Sequence, residues 1–189
     1  AFDAHVRGRT VRWKSRIRHY GPDGDAFLEV KSKDVHGWTD KERRVRTSAE
    51  WDSTRDTEEL AFLEEHFPYE GRLTSPLRCS FDRITLVGSE RTERMTIDSN
   101  VRFFNHERSA EMTGLSILET KQLKIERSTP VLEALRTFRY ASPPLGRATR
   151  FSKYVVGMSL THPDLNQRTY KPLVDRVNHL IKNNLINES

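Results

Sequence analysis

Arg12-Trp13-Lys14-Ser15-Arg16-Ile17-Arg18 sets a cation on every second residue, with Val11 opening the intervening series of Trp13, Ser15 and Ile17. Alternation of period two belongs to a β-strand, whose successive side chains point to opposite faces of the sheet. The segment is therefore a strand with one wholly basic face. A rise of about 3.3 Å per residue puts neighbouring cations about 6.6 Å apart. At that spacing each neighbouring pair repels by about 0.6 kcal/mol in bulk water and about 2.5 kcal/mol at an effective dielectric of 20. On an open surface such a row is an ordinary solvated face of an antiparallel sheet; enclosed, it needs anions.

The same division recurs along the chain. Gly21-Pro22-Asp23-Gly24 carries turn chemistry, and Ala26 to Lys33 resumes the extended pattern, which predicts a hairpin. In its return strand Phe27, Glu29, Lys31 and Lys33 share one face, and Ala26, Leu28 and Val30 the other. Residues 38 to 47 form a third strand with Lys41 and Arg43 on one side. Ser48 is placed to cap a helix whose apolar positions are Trp51, Leu60, Leu63 and Phe67, with Glu58, Glu59, Glu64 and Glu65 read as its solvated face.

Residues 77 to 87 and 91 to 104 flank Gly88-Ser89, a second hairpin. Its return strand alternates Arg94, Thr96, Asp98, Asn100 and Arg102 against Met95, Ile97, Ser99, Val101 and Phe103. A strand over 115 to 124 follows, with Glu119 and Lys121 on one face. Thr129-Pro130 opens a helix with the apolar stripe Val131, Leu132, Leu135 and Phe138. Pro143-Pro144 and Gly146 mark a loop, and a last amphipathic helix lies beyond Pro163, through Leu173, Val177, Leu180, Ile181 and Leu185.

At 189 residues with no linker, repeat or low-complexity tract, the chain reads as a single domain over 1–189. A hydrophobic share of 35% and a mean hydropathy of −0.74 leave many polar residues that must face water or line something. The net charge of +5 is modest, so the placement of cations matters more than their number. Cys79 stands alone, which excludes an internal disulfide or cysteine-cluster metal site and suits a reducing, cytoplasmic compartment. No apolar run approaches the ~20 residues needed to span a bilayer. The seven histidines show no close metal-ligand spacing, and no glycine-rich phosphate loop occurs.

An α+β fold follows, mainly antiparallel, with helices packed outside the sheet. Several strands with ionisable residues on one face and apolar residues on the other suit a curved sheet closed into a barrel, its cations converging on the lumen.

Lys14-Ser-Arg16-Ile-Arg18-His-Tyr20, Phe27-Leu-Glu29-Val-Lys31, Arg94-Met-Thr96-Ile-Asp98, Leu118-Glu119-Thr-Lys121 and Phe151-Ser-Lys153-Tyr154, in that order, resemble the VTC domain. That family holds polyphosphate polymerase domains of the triphosphate tunnel, or CYTH-like, superfamily and includes bacterial members. The likeness runs from about Thr10 to Gly157. It implies an antiparallel β-barrel tunnel that binds ATP, polyphosphate and a divalent cation, Mn²⁺ or Mg²⁺. It also implies that the family's first strand would precede Ala1, so the chain is expected to be truncated at its N-terminus.

Residue by residue, the resemblance implies that Arg16 and Arg18 are the paired phosphate-binding arginines, and Lys31 and Lys41 tunnel lysines. Arg83 stands where the family has Tyr-x-Arg, with Phe81 in place of the tyrosine. Arg94 opens its Arg-x-Thr-x-Asp strand, Lys153 is its Ser-Lys lysine, and Arg150 replaces a second lysine. Glu119 matches the metal-binding glutamate. Arg16, Arg18, Lys31, Arg83, Arg94 and Lys153 are thus the expected catalytic set, and Lys14, Lys33, Lys41, Lys121 and Arg150 further phosphate binders. Glu29 and Asp98 are either helpers to Glu119 at the metal or ion-pair partners of their basic neighbours.

The implied reaction is transfer of the γ-phosphoryl group of ATP to a polyphosphate end. Hydrolysis of tripolyphosphate or a nucleoside triphosphate in the same tunnel, and polyphosphate binding without turnover, are the alternatives. Nucleic acid is not expected as a partner despite a pI near 9.5, because Trp13 falls on the apolar side of its strand instead of offering a stacking platform among the cations.

Overall fold

The computed structural model describes residues 7, 9–21, 24–46, 57–68, 73–89, 93–124, 126–138, 151–165 and 170–187. The chain divides into two compact units, Ala1–Thr74 and Ser75–Ser189. Each has its own antiparallel sheet, and the architecture is α+β, with four helices among the described residues.

In the first unit, β1 (Arg12–His19), β2 (Ala26–Lys33) and β3 (Thr39–Arg46) form a meander in that order. The expected alternation holds in full. Register sets Arg12 opposite Lys33, Lys14 opposite Lys31, Arg16 opposite Glu29 and Arg18 opposite Phe27. From β3, Thr39, Lys41, Arg43 and Val45 fall opposite Lys33, Lys31, Glu29 and Phe27, and so join the same face.

The other face of this sheet carries Ile17, Leu28 and Val30. Leu28 and Val30 are buried with Leu63 of α1 (Thr57–His66), and Phe62, Phe67 and Leu73 close over them. Arg46, at the end of β3, meets Glu59 of α1 with Nε 2.5 Å from Oε1, both side chains buried. This corrects the reading of all four helix acids as solvated: Glu59 turns toward the sheet because β3 ends in an arginine there. Ser48 and Trp51 lie outside the described residues.

In the second unit, β5 (Glu93–Phe104) is central. It pairs with β4 (Arg78–Val87) along one edge, and with β7 (Ile117–Gln122) and the short β6 (Ser109–Glu111) along the other. Here the structure departs from the expected alternation. Asp82 faces Ser99, but Ser80 faces Arg102, so β5 holds one extra residue, and Asn100 sits there at φ +51°. Such a bulge reverses the alternation beyond it. Arg102 is thereby moved to the face opposite Arg94, Thr96 and Asp98, where it reaches Glu111. Val101 and Phe103 come round to the side of Asp98.

That side is therefore divided. Its far half is the unit's core, with Val101, Phe103, Met112, Val156 and Val177 buried together and Cys79 and Phe81 packed at the margin. It is covered by α3 (Lys153–Thr161). Gly157 lets the helix lie close, since a Cβ there would stand 2.5 Å from the Phe103 ring. The placement of every helix on the face away from the ionisable residues is thus corrected: α3 shares the face of Asp98. The remaining helices are α2 (Pro130–Phe138), whose first turn is bonded at Leu132 N by Thr129 Oγ1 at 3.3 Å, and α4 (Lys171–Asn187).

Both sheets are open among the described residues, so no closed barrel is formed by them.

Candidate functional site

On the ionic face of the first unit, Arg12, Lys14, Arg16 and Arg18 stand on β1, Lys31 and Lys33 on β2, and Lys41 and Arg43 on β3. Eight cations share this face with one carboxylate, Glu29, which is 1% exposed. Arg16 places Nη2 2.5 Å and Nε 2.6 Å from Glu29 Oε2, Lys41 places Nζ 2.5 Å from Oε1, and Arg18 Nε stands 3.8 Å away. Burial alone would raise the Glu29 carboxyl, but Lys41, Arg16 and Arg18 outweigh it and hold the group below its ordinary value. A single buried anion thus fixes three cation heads and leaves them with excess positive charge.

Aromatic rings seat other heads without neutralising them. The Arg18 guanidinium donates to Tyr20 Oη at 3.0 Å and lies 5.6 Å from the ring, while Arg43 lies 4.9 Å from the Phe27 ring.

The register positions nearer Arg12, Arg12–Lys33–Thr39 and Lys14–Lys31–Lys41, carry no acidic residue. Arg12, Lys14, Lys31, Ser32, Lys33 and Thr39 line a cleft of about 140 Å³. The Lys14 ammonium is pushed down to about 8, by burial first and then by Arg12, Lys31 and Arg16.

The second unit repeats the pattern with Asp98, which is fully buried. Arg83 grips it bidentately, Nε to Oδ1 at 2.5 Å and Nη2 to Oδ2 at 2.7 Å, and Lys153, at the first position of α3, pairs with Oδ2. Burial would raise this carboxyl as well, and Arg83 and Lys153 hold it low instead. Phe81 carries both cations, with Lys153 Nζ 4.6 Å and the Arg83 guanidinium 5.0 Å from its ring. On the same face Arg94 is opposite Lys121, and Thr96 is opposite Glu119. Lys121 Nζ lies 3.3 Å from Glu119 Oε1, with both side chains about half exposed. Thr96 is buried, and its hydroxyl has no hydrogen-bond partner among the described residues.

A family model described as the VTC domain matches residues 1–162. The chain belongs to the VTC domain family. No curated protein and no solved structure matches it.

Within this VTC domain, Arg16, Arg18, Lys31, Lys41, Lys14 and Lys33 are brought to one face of the first unit, with Glu29. Arg83, Arg94, Lys121 and Lys153 are brought to one face of the second, with Asp98 and Glu119. Arg150 lies outside the described residues. Glu29 and Asp98 are engaged by cations as ion-pair partners.

Among the described residues no three His, Cys, Asp or Glu side chains gather as a metal cage. Glu119 is a half-exposed hard oxygen donor that pairs with Lys121 among the described residues. Mg²⁺ needs only one or two protein carboxylates when phosphates and water supply the rest, so Glu119 fits a cation that arrives with a triphosphate.

Several contributors were missed in the sequence. Arg12 completes the cleft, and Tyr20, Phe27 and Phe81 seat cation heads; their spacing beside the basic positions was the available signal. Thr96 stands inside the Arg94-Met-Thr96-Ile-Asp98 motif, and its burial could not be read from a threonine in an alternating strand. Cys79 is half-buried in β4, and burial pushes its thiol up to about 11, which leaves it inert. A cleft of about 220 Å³ beside Asn105 and His162 has Arg108 as its one cation and lies apart from Asp98 in the sequence of elements. No helix among the described residues is long and apolar enough to cross a membrane.

Proposed function

We propose that this VTC domain is a polyphosphate polymerase that transfers the γ-phosphoryl group of ATP to a polyphosphate end in a basic tunnel of the triphosphate type. The observation that carries the reading is the ionic face of the first sheet, where eight cations share one buried carboxylate. Membership of the VTC domain family supports condensed phosphate as the polyanion.

In the reaction, a terminal oxygen of the acceptor chain forms a new P–O bond to the γ-phosphorus, the β–γ bridging bond breaks, and ADP leaves with that electron pair. The transition state spreads negative charge over the equatorial oxygens, so the protein's task is position and charge neutralisation. In the first unit Arg16 and Arg18 are planar, bidentate donors for phosphate with Lys31 and Lys41 as point charges, and in the second unit Arg83 and Arg94 are such donors with Lys121 and Lys153 as point charges. Lys14 and Lys33 hold further phosphates. Glu119 would hold Mn²⁺ or Mg²⁺, which supplies Lewis-acid polarisation of the phosphoryl oxygens. Glu29 and Asp98 keep the cation heads in place between turnovers.

The full-length protein, incubated with ATP and Mn²⁺ or Mg²⁺, should yield long chains resolved on a gel, and Arg16→Ala and Glu119→Gln should abolish them. Orthophosphate without chains would establish a triphosphatase. Tight polyphosphate binding with no turnover under either metal would establish a binding module.

A further inference from the structure

The turn joining β2 to β3 presents its apolar residues to water. Trp38 is 78% exposed and Val35 64%, and every residue from 34 to 43 is exposed, so the end of this hairpin stands clear of its own unit. The turn is nonetheless fixed. Asp34 N donates to Trp38 O at 3.0 Å, Trp38 N to Asp34 Oδ1 at 2.8 Å and Gly37 N to Asp34 O at 3.2 Å. Gly37 lies at φ +86°, which a residue without a Cβ adopts freely. An indole is thus held outward on a preordered turn, and docking it costs little further ordering.

Charge gathers at the same end of the sheet. β1 enters at Arg12, opposite Lys33, so the exposed Arg9 and Val11 come to the sheet there as well. The Lys33 side chain lies over the turn, since a Cβ on Gly37 would stand 3.5 Å from its Cε and 3.9 Å from its Nζ. The acids nearby are Asp34 and Asp40, and each has Oδ1 bonded by a backbone amide, Trp38 N and Lys41 N, both at 2.8 Å. We propose that this hairpin tip is a reversible membrane-docking element, which places Trp38 and Val35 in the headgroup region of an anionic lipid surface with Arg9, Arg12 and Lys33 beside the headgroups. The proposal is independent of the phosphoryl-transfer reading.

The shape and composition of the tip favour lipid over protein. A stable protein interface takes about 800 Å² from each partner, whereas this tip offers two apolar side chains on a hairpin whose strands lie about 5 Å apart. A lipid surface asks for less. Indole, apolar in body with a polar N–H, suits headgroup depth, and neighbouring lysines and arginines are drawn to anionic lipid. Neither signal alone holds a protein at a bilayer; a modest apolar anchor joined to basic residues gives reversible attachment. The next register position, Lys14, Lys31 and Lys41, lies about 7 Å behind the first, within a Debye length of about 8 Å at physiological salt, and so adds to the attraction.

Co-sedimentation with vesicles of phosphatidylserine mixed with phosphatidylcholine, and of phosphatidylcholine alone, tests this. The wild-type protein should pellet with the mixed vesicles, less so as salt rises, and stay largely in solution with phosphatidylcholine alone. Trp38→Ala should bind the mixed vesicles about tenfold more weakly, the effect of no longer withdrawing an indole from water, and Trp38→Phe should bind nearly as wild type. Mixed vesicles with bromine-labelled acyl chains should quench the wild-type tryptophan emission, and the quenching should vanish in Trp38→Phe although that variant still binds. Equal binding by wild type and Trp38→Ala, or quenching that survives in Trp38→Phe, overturns the proposal, since the cations would then adsorb the protein without the tip. Failure of the wild type to bind the mixed vesicles overturns it too; a lower mass for Trp38→Ala in lipid-free sedimentation equilibrium would then assign the tip to a second copy of the chain. All of these outcomes leave phosphoryl transfer, assayed without lipid, unaffected.

Discussion

Glu29 and Asp98 are each a carboxylate removed from water and surrounded by cations, and their role is testable by a substitution that alters charge and position in opposite senses. Glu29→Gln makes the face one unit more positive. If net charge alone governed anion binding, affinity would rise. Because Glu29 instead fixes Arg16, Arg18 and Lys41, freeing them should weaken tripolyphosphate binding by about tenfold, the order of effect when a supporting partner of a binding group is lost. Calorimetry at constant salt checks this, and tighter binding would refute the positioning role. Asp98→Asn takes the carboxylate charge from Arg83 and Lys153, which are only 31% and 20% exposed. Breaking a buried pair costs about 3–5 kcal/mol, and the partial exposure here puts the loss near the lower end, about 3. The sign with pH follows from the depressed Asp98 carboxyl. Its contribution is complete above the unfolded value near 3.9 and fades as pH falls through the folded one. Urea unfolding should therefore separate wild type from Asp98→Asn at pH 7 and bring them together in strong acid.

Alternation made β1, β2 and β3 legible, because in a three-stranded meander every second residue keeps its face from end to end. β5 read equally well and was wrong beyond Asp98. Asn100 inserts one residue, but Arg102 is polar and Val101 and Phe103 are apolar, so the sequence keeps its rhythm while the faces exchange. A glycine would have signalled the bulge; asparagine, which tolerates the left-handed region, did not. Lys153 was legible only through the family's Ser-Lys motif, since nothing in the local pattern shows that the first residue of a helix reaches a strand 55 residues away. The pair Arg46–Glu59 was hidden in a run of acids that individually look solvated. Packing of α3 on β5 gives a sharp test. Gly157→Ala adds a methyl that would stand 2.5 Å from Phe103 and 2.7 Å from Leu77, both core side chains. Overpacking costs about 1–3 kcal/mol, against roughly 1 gained from helix propensity. Gly157→Ala should thus be no more stable than wild type, and Gly157→Val clearly less so. A rise in melting temperature for either would mean that the helix stands off the strand.

For the chain as a whole, a net charge of +5 is too small to make it a general polyanion sink. Ordering of the cations does what their number does not: in each unit one buried carboxylate holds cation heads on a single face, and in the first unit two further rows set cations opposite cations in register. A ligand that binds only the folded state raises stability by RT ln(1 + [L]/Kd), about 2.7 kcal/mol at a hundredfold excess over Kd. Tripolyphosphate should accordingly raise the melting temperature well beyond an equal charge concentration of orthophosphate, because only the chain bridges successive rows. Oligonucleotide of matched charge should fall between or below, because Trp13 stands on the face opposite the cations and offers no stacking platform among them. Salt sharpens the distinction. Each cation that neutralises a phosphate releases a counterion, so affinity falls with log[salt], and Arg12→Gln should reduce that slope by about one. Melting curves at graded salt, with the three anions in parallel, measure both effects together. Equal stabilisation by orthophosphate and tripolyphosphate, with a salt slope unchanged by Arg12→Gln, would show that the rows act as independent surface charges and would remove the physical basis for a chain-binding face.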